Sequence, residues 1–178
     1  MNVNNKKQIF YWRNNKNKEI KAVGVLFIQN GKVLVQIKTT NDIYEDIGGK
    51  TEIYDKTYFD TVSREVSEEI NDSFYYIKKI NKIKEKKYLL NNKIKKLIKN
   101  NKIKTVYLNK SKYLIFIVNV PLKYKIDFIK SGNYEKKNNI KRKLKWINIH
   151  KFIKLFYIEK LHYRLRNTYL INFFKCFI

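Results

Sequence analysis

A dense group of acidic residues between positions 45 and 72 is the part of the sequence best suited to chemistry. It holds nine of the chain's fifteen acids, and only three basic residues lie among them. Carboxylates this close raise one another's pKa values unless a cation neutralises them. Mg²⁺ and Mn²⁺ prefer such oxygen ligands, so the group predicts a divalent metal site. Its members are Glu45, Asp46, Glu52, Asp55, Asp60, Glu65, Glu68, Glu69 and Asp72.

Three of these acids share one face of a predicted helix. Thr57 followed three residues later by Asp60 is typical of a helix start. Apolar residues then recur at spacings of three and four, which predicts a stripe that packs on a sheet; they are Phe59, Val62, Val66 and Ile70. Glu65, Glu68 and Glu69 form a second face. Such a face is often only a solvent-exposed surface, so the three glutamates alone do not distinguish a metal site from a solvated helix face. The segment before the helix distinguishes these two interpretations.

A β-hairpin and a glycine pair precede this helix. Residues 22–28 and 32–37 are rich in β-branched residues and flank Asn30-Gly31, which predicts a hairpin with a type I′ turn. Gly48 and Gly49 are predicted to lie in a loop, where the absence of side chains lets the backbone approach a metal or a phosphate. The order is therefore strand, turn, strand, loop with the glycine pair, and acidic helix.

This order resembles the Nudix hydrolases. Their signature is a Gly, five residues, a Glu, seven residues, Arg-Glu, an aliphatic residue, any residue, Glu-Glu, any residue and a Gly. The corresponding box here spans residues 48–72, and Arg64-Glu65-Val66-Ser67-Glu68-Glu69 matches the helical part at every position. With the hairpin, the resemblance covers residues 22–72.

The resemblance implies an α/β fold, specifically an α/β/α sandwich with a mixed sheet, in a single domain over residues 1–178. It also implies hydrolysis of a nucleoside diphosphate linkage with Mg²⁺ or Mn²⁺ as the cofactor. The metal ligands would be Glu65, Glu68 and Glu69 with the carbonyl of Gly49, and Glu68 or Glu69 would orient the attacking water.

Further roles follow from the same resemblance. Arg64 would hold the glycine segment against the helix, and Lys50, Glu52 and Asp55 would line the substrate side. Many members of the family have another catalytic acid before the last strand. Here only Asp127 and Glu135 are available for that role, and an ordinary solvated acid is the alternative for each.

Three departures from the signature stand out. Asp55 replaces the Glu that should pair with the arginine, and its side chain is shorter. Eight residues rather than seven separate Asp55 from Arg64, so the loop must absorb one residue. Asn71 replaces the final Gly, a mild change because Asn is the next best residue for a left-handed helix end.

The rest of the chain is predicted to complete the fold. The lysine-rich residues 77–100 predict a helical insertion, which is either a basic arm for a polynucleotide or a solvated cover over the core. Residues 102–108 and 113–120 predict a second hairpin, residues 143–148 a final strand, and residues 152–178 a carboxy-terminal helical region. No stretch is apolar and long enough to span a membrane. The lone Cys176 excludes an internal disulfide.

The formal net charge of +25 leaves the substrate open. Such a charge attracts polyanions, yet the excess of Lys, Asn and Ile also follows from A/T-rich codons. The favoured function is removal of the 5′ cap of RNA, in the cytoplasm, or the host cytoplasm if the protein is viral. The alternatives are a pyrophosphatase acting on nucleotides or inositol pyrophosphates, and a degenerate Nudix module that binds RNA or nucleotide without catalysis. The oligomeric state stays open.

Overall fold

The computed structural model describes residues 8–38, 41–70, 83–122, 134–135 and 140–178. The strands in these ranges are β1 (Phe10–Tyr11), β2 (Glu19–Ile20), β3 (Ala22–Gln29), β4 (Lys32–Lys38), β5 (Ile43–Glu45), β6 (Ile47–Lys50), β7 (Lys102–Leu108), β8 (Tyr113–Asn119), β9 (Tyr134–Glu135) and β10 (Ile140–Asn148). The α-helices are α1 (Tyr58–Ile70), α2 (Ile83–Asn101), α3 (Ile149–Tyr157) and α4 (Thr168–Lys175).

A mixed sheet forms the centre of the fold. Its strand order is β7-β8-β3-β4-β10-β9, and β3 runs parallel to β8 while the other pairs are antiparallel. β3 pairs with β4 over Phe27–Gln29 and with β6 over Ala22–Val25. The glycine pair therefore lies in strand β6, so the prediction that it lies in a loop is wrong. The pairing of β6 with β3 is what fixes Gly49 next to the centre of the sheet.

Helices cover both faces of the sheet. α1 and α2 pack on one face through Val62, Val66 and the buried side of α2, and α3 and α4 pack on the other. Successive side chains of a strand point to opposite faces of the sheet, so the same strands contribute buried residues to the core on each face. The prediction of an α/β/α sandwich with a mixed sheet is confirmed.

The predicted hairpins are also confirmed. Asn30 and Gly31 both have positive φ, +50° and +67°, as a type I′ turn requires. Strands β7 and β8 form the second hairpin. The predicted carboxy-terminal helical region begins earlier than expected and is interrupted. α3 starts at Ile149, and residues 158–167 separate it from α4 with a β-bridge from Leu161 to Tyr44 and a short 3-10 turn.

Helix α2 accounts for the described part of the lysine-rich segment. Ile94, Leu97 and Ile98 are buried against the core, so this helix covers α1 and the sheet. Residues 77–82 lie outside the described residues. None of the helices in the described ranges is long and apolar enough to span a membrane.

Candidate functional site

The start of α1 has the capping geometry that the sequence predicts. The Thr57 hydroxyl donates to Asp60 Oδ2 at 2.8 Å, and the Asp60 amide donates to Thr57 Oγ1 at 3.3 Å. Val62 and Val66 are fully buried, so they fix how the helix is rotated about its axis. That rotation turns the neighbouring residues Arg64 and Glu65 towards β6 and the loop after it.

Arg64 is the centre of the site's hydrogen bonding. It donates to both oxygens of Asp55, from Nε to Oδ1 at 3.2 Å and from Nη2 to Oδ2 at 3.1 Å. The same Nη2 donates to the Lys50 carbonyl at 2.9 Å. Burial alone would lower the pKa of Arg64, but hydrogen bonds and charge from Asp55 and Glu65 raise it above its usual value. The guanidinium thus joins α1 to the loop and to β6.

The loop between β6 and α1 absorbs the extra residue by folding around Asp55. The Glu52 amide donates to Asp55 Oδ2 at 2.8 Å, and the Asp55 amide donates to the Glu52 carbonyl at 3.1 Å. The Thr61 hydroxyl donates to the same Oδ2 at 2.9 Å. Asp55 is only 5% exposed. The shorter side chain therefore reaches the arginine with both oxygens, and a role for Asp55 in substrate binding stays a prediction.

Gly49 gives Glu65 the room to lie against β6. A Cβ at position 49 would be 2.3 to 2.4 Å from the atoms of the Glu65 carboxylate, so no larger residue fits without movement. Arg64 Nη1 donates to Glu65 Oε1 at 2.7 Å. Burial raises the pKa of Glu65, although the charge of Arg64 opposes this. The structure thus brings together two of the predicted metal ligands, Glu65 and Gly49.

Glu69 lies one helical turn further on and faces different partners. Arg142 Nη1 of β10 donates to Glu69 Oε1 at 2.9 Å, and the side-chain amide nitrogen of Gln36, on β4, donates to Glu69 Oε2. Arg142 Nη1 also donates to Gln36 Oε1 at 3.2 Å. Sequence reasoning missed Gln36 and Arg142. Only the register of β10 against β4 brings them side by side, and that register pairs Leu144 with Gln36.

The remaining predicted site residues lie at the rim or outside the description. Glu52 and Glu68 are about half exposed, at 48% and 41%, and each is 3.5 Å from Arg64 Nη1. The Lys50 side chain is exposed, and its backbone carbonyl makes the contact with Arg64. The backbone of Glu135 belongs to β9. Asn71, Asp72, Asp127 and the side chain of Glu135 lie outside the described parts.

The donor set suits a hard divalent cation, but the described carboxylates are not gathered around one point. Glu65, Glu68 and Glu69 offer carboxylate oxygens, and Gly49, which lies against the Glu65 carboxylate, has a backbone carbonyl as a further oxygen donor. Among the described residues, however, no three Asp, Glu, His or Cys side chains stand close enough together to hold a metal ion. Glu65 bonds to Arg64, and Glu69 bonds to Arg142 and Gln36. A metal bound by all three glutamates would have to replace some of these contacts.

Comparisons with known proteins give similar structures only. No protein-family model matches the sequence, and no curated protein matches it. A bifunctional NMN adenylyltransferase/ADP ribose pyrophosphatase from Francisella tularensis is 19% identical with a TM-score of 0.44, over 75% of this chain. This chain spans only 35% of that protein. A NUDIX-family hydrolase from Clostridium perfringens is 16% identical with a TM-score of 0.40, over 88% of this chain and 97% of its own.

Proposed function

We propose that this chain is a divalent-metal-dependent hydrolase of the Nudix type that cleaves a diphosphate linkage in a nucleotide-containing substrate. The observation that carries the proposal is the position of Arg64, which is bonded to Asp55, to the Lys50 carbonyl and to Glu65. A merely solvated helix face would leave its arginine exposed, whereas this side chain is 14% exposed. The box residues thus form one connected unit despite both departures in the loop.

The glutamates of α1 would hold Mg²⁺ or Mn²⁺, together with the carbonyl of Gly49. When bound, the metal would neutralise the diphosphate charge and lower the pKa of a coordinated water. Arg64 bonds to the Lys50 carbonyl and so keeps β6 against α1, where Gly49 lies beside the Glu65 carboxylate. Arg142 and Gln36 hold the carboxylate of Glu69 at the end of β4, where it can accept a proton from an attacking water.

The proposed substrate is RNA with a 5′ cap, in which a 5′–5′ triphosphate bridge joins the cap nucleoside to a polyanionic chain. Attack of water on the diphosphate linkage next to the RNA would release the cap as a nucleoside diphosphate and leave a 5′-monophosphate on the RNA. The net charge of +25 supports this choice over a small metabolite, because a long anion can use an extended basic surface and a small one cannot.

Cap release by the purified chain is the test of this proposal. Cap-labelled RNA is incubated with Mg²⁺ or Mn²⁺, and the released nucleotide is separated by chromatography. We expect 7-methyl-GDP from the wild type and from the control Glu159→Gln, whose carboxylate is exposed and pairs with Arg166. Glu69→Gln should lose nearly all of this activity. Full activity of Glu69→Gln would contradict the assigned role, and turnover in the presence of a metal chelator would contradict the mechanism.

A second candidate, a module that binds capped RNA or nucleotide without cleaving it, is favoured by one observation. Glu69 bonds to Arg142, and no three described carboxylates are close enough to share a metal. A module without a metal needs Glu69 only as a structural partner of the sheet. Retention of cap-labelled RNA without release of any product, with either metal and also for Glu69→Gln, would favour this candidate over the hydrolase.

A further inference from the structure

A basic groove follows the outer edge of β7, which is the terminal strand of the sheet in the described part of the chain. The groove has a volume of about 420 Å³ and is lined by three cations and two aromatic rings. These are Arg13, Lys102, Lys104, Trp12 and Tyr169. None of its lining residues in the described part of the chain is acidic. The volume lies within the usual range for a ligand pocket, so a nucleotide unit can enter.

A β-bulge places the two lysines on opposite faces of the sheet. Lys102 pairs with Val118 and Lys104 pairs with the adjacent Ile117, so Ile103 is an extra residue in β7. Side chains two positions apart in a regular strand point to the same face. A bulge changes that direction and is common at sheet edges and beside functional sites. The two ammonium groups consequently stand on either side of the exposed strand edge.

Aromatic rings, rather than carboxylates, hold these cations. Lys102 Nζ lies 5.7 Å from the centroid of Phe59, at the first turn of α1. Lys104 Nζ lies 5.1 Å from the centroid of Tyr169 on α4, and the Arg13 guanidinium lies 5.3 Å from the ring centre of Trp12.

None of the three cations of the groove forms an ion pair with a described carboxylate. Other lysines of the fold are neutralised in this way, for example Lys38 by Glu45 at 2.8 Å. A cation over a ring keeps its full charge for an incoming anion. The groove therefore offers an anion three positive charges that are positioned by rings and not neutralised by described carboxylates.

The backbone under Arg13 is strained, and the strain presents its side chain to the groove. Arg13 and Asn14 have positive φ angles of +53° and +57°, which are uncommon for residues other than glycine. Hydrogen bonds fix the turn: the Trp12 amide donates to the Lys18 carbonyl at 2.8 Å, and the Asn15 amide donates to Trp12 at 3.1 Å. Such conformations cluster at binding sites.

We propose that this groove binds single-stranded nucleic acid, with phosphates at Arg13, Lys102 and Lys104 and a base stacked on Tyr169. Alternating anionic and aromatic groups are what a single strand offers, and a basic groove with stacking rings is the usual way to bind it. Tyr169 is 56% exposed, which leaves its ring accessible to a base.

The groove is separate from the carboxylates of α1. Phe59, which contacts Lys102, precedes Glu65 by six residues, or about 9 Å of helix. Binding in the groove therefore does not depend on hydrolysis, and either proposal can fail without the other.

The test measures binding of a fluorescent, uncapped RNA of about twelve nucleotides, and of DNA with the same sequence, by anisotropy over a range of salt concentrations with a metal chelator present. The double variant Lys102→Gln/Lys104→Gln removes two phosphate contacts. The salt slope on a log-log plot should then fall by about 1.4, since each contact to a single strand contributes about 0.7. Tyr169→Ala should weaken binding at least about fivefold and Tyr169→Phe should not, because only the ring stacks.

A charge-matched control is essential for a chain of net charge +25. Lys143→Gln/Lys145→Gln removes two exposed lysines with the same spacing from β10, and it should leave the slope unchanged within about 0.3. Glu159→Gln, which changes an exposed carboxylate outside both sites, should bind as the wild type does.

Equal losses in the two lysine double variants would overturn the proposal, because the binding would then be diffuse. Full competition by inorganic polyphosphate, with no effect of Tyr169→Ala, would also overturn it in favour of a general polyanion site. A preference between the RNA and the DNA probes would support it and would identify which nucleic acid the groove takes. Thermal unfolding of each variant separates a loss of fold from a loss of binding.

Discussion

Substitution of Asp55 tests whether the loop after β6 compensates for the shorter side chain and the extra residue by bringing Asp55 into contact with Arg64. Its two oxygens accept hydrogen bonds from Arg64 Nε and Nη2, from the Glu52 amide and from the Thr61 hydroxyl. Asp55→Asn keeps the shape but replaces one oxygen by an NH₂ group, which must then face one of these donors. Breaking a buried ion pair costs about 3–5 kcal/mol. Glu65 stays at 2.7 Å from Arg64, so we expect a loss of about 2–4 kcal/mol in unfolding free energy.

Asp55→Glu distinguishes the stability change that the structure predicts from the one that the signature alone predicts. The signature has Glu at this position, so the motif taken by itself predicts a neutral or favourable change. In the structure Asp55 is 5% exposed, and its Oδ2 already accepts three hydrogen bonds, one from the loop and two from α1. An added methylene has no room there, and we expect a loss of about 1–3 kcal/mol.

Urea unfolding of the wild type, both Asp55 variants and the control Glu159→Gln provides the measurement. The control removes the charge from a carboxylate–arginine pair of similar length, 2.8 Å, in which Glu159 is 77% exposed. It should cost less than about 1 kcal/mol. If Asp55→Glu were as stable as the wild type, and Asp55→Asn cost no more than the control, the compensation inferred for this loop would be refuted.

Three further changes have defined outcomes. Gly49→Ala would put a Cβ within 2.4 Å of the Glu65 carboxylate; we expect about 1–3 kcal/mol lower stability by urea unfolding and weaker Mn²⁺ binding by calorimetry, and unchanged values would contradict the close packing. Burial, and then the charge of Arg164, lower the pKa of His162, so the folded protein prefers the neutral ring. The contribution of the neutral His162 ring to the unfolding free energy is fully present above the unfolded pKa of about 6.5, and it is lost as the pH falls from there to the lower folded pKa. Unfolding free energies measured at several pH values should therefore fall less for His162→Gln than for the wild type. Phe152→Ala should cost about 3–5 kcal/mol because this ring is fully buried against α4, and a loss below 1 kcal/mol would show that α3 packs differently.

Local patterns in the sequence were sufficient for most elements of the fold. The type I′ turn at Asn30-Gly31 and the capping box of Thr57 and Asp60 depend on neighbouring residues only, and both are present. The apolar stripe of α1 predicted the face that packs on the sheet, and Val62 and Val66 of that stripe are buried. Periodicity also predicted a helix in the lysine-rich segment, and of the two interpretations left open there, the cover over the core holds for α2, where Ile94 and Ile98 are buried.

Features that depend on strand register could not be predicted. Gly48-Gly49 has the composition of a loop, yet pairing with β3 makes it a strand, because partners from elsewhere in the chain decide β-structure more than propensity does. Gln36 and Arg142 are more than one hundred residues apart, and they meet only because β10 pairs with β4. The bulge at Ile103 likewise has no sequence signature that reveals where it redirects the two lysines.

Glu69 is the residue at which the hydrolase and the non-catalytic module differ most. In the structure its carboxylate already bonds to Arg142, with Gln36 as a second donor. In a hydrolase, a bound metal would compete with Arg142 for this carboxylate, so metal affinity would include the cost of separating a partly buried ion pair. A substrate phosphate could then take over Arg142, since a guanidinium binds phosphate as well as carboxylate. Metal and substrate would then favour each other's binding. In a module without catalysis the pair would simply fasten α1 to the sheet, and the presence of substrate would not change metal affinity.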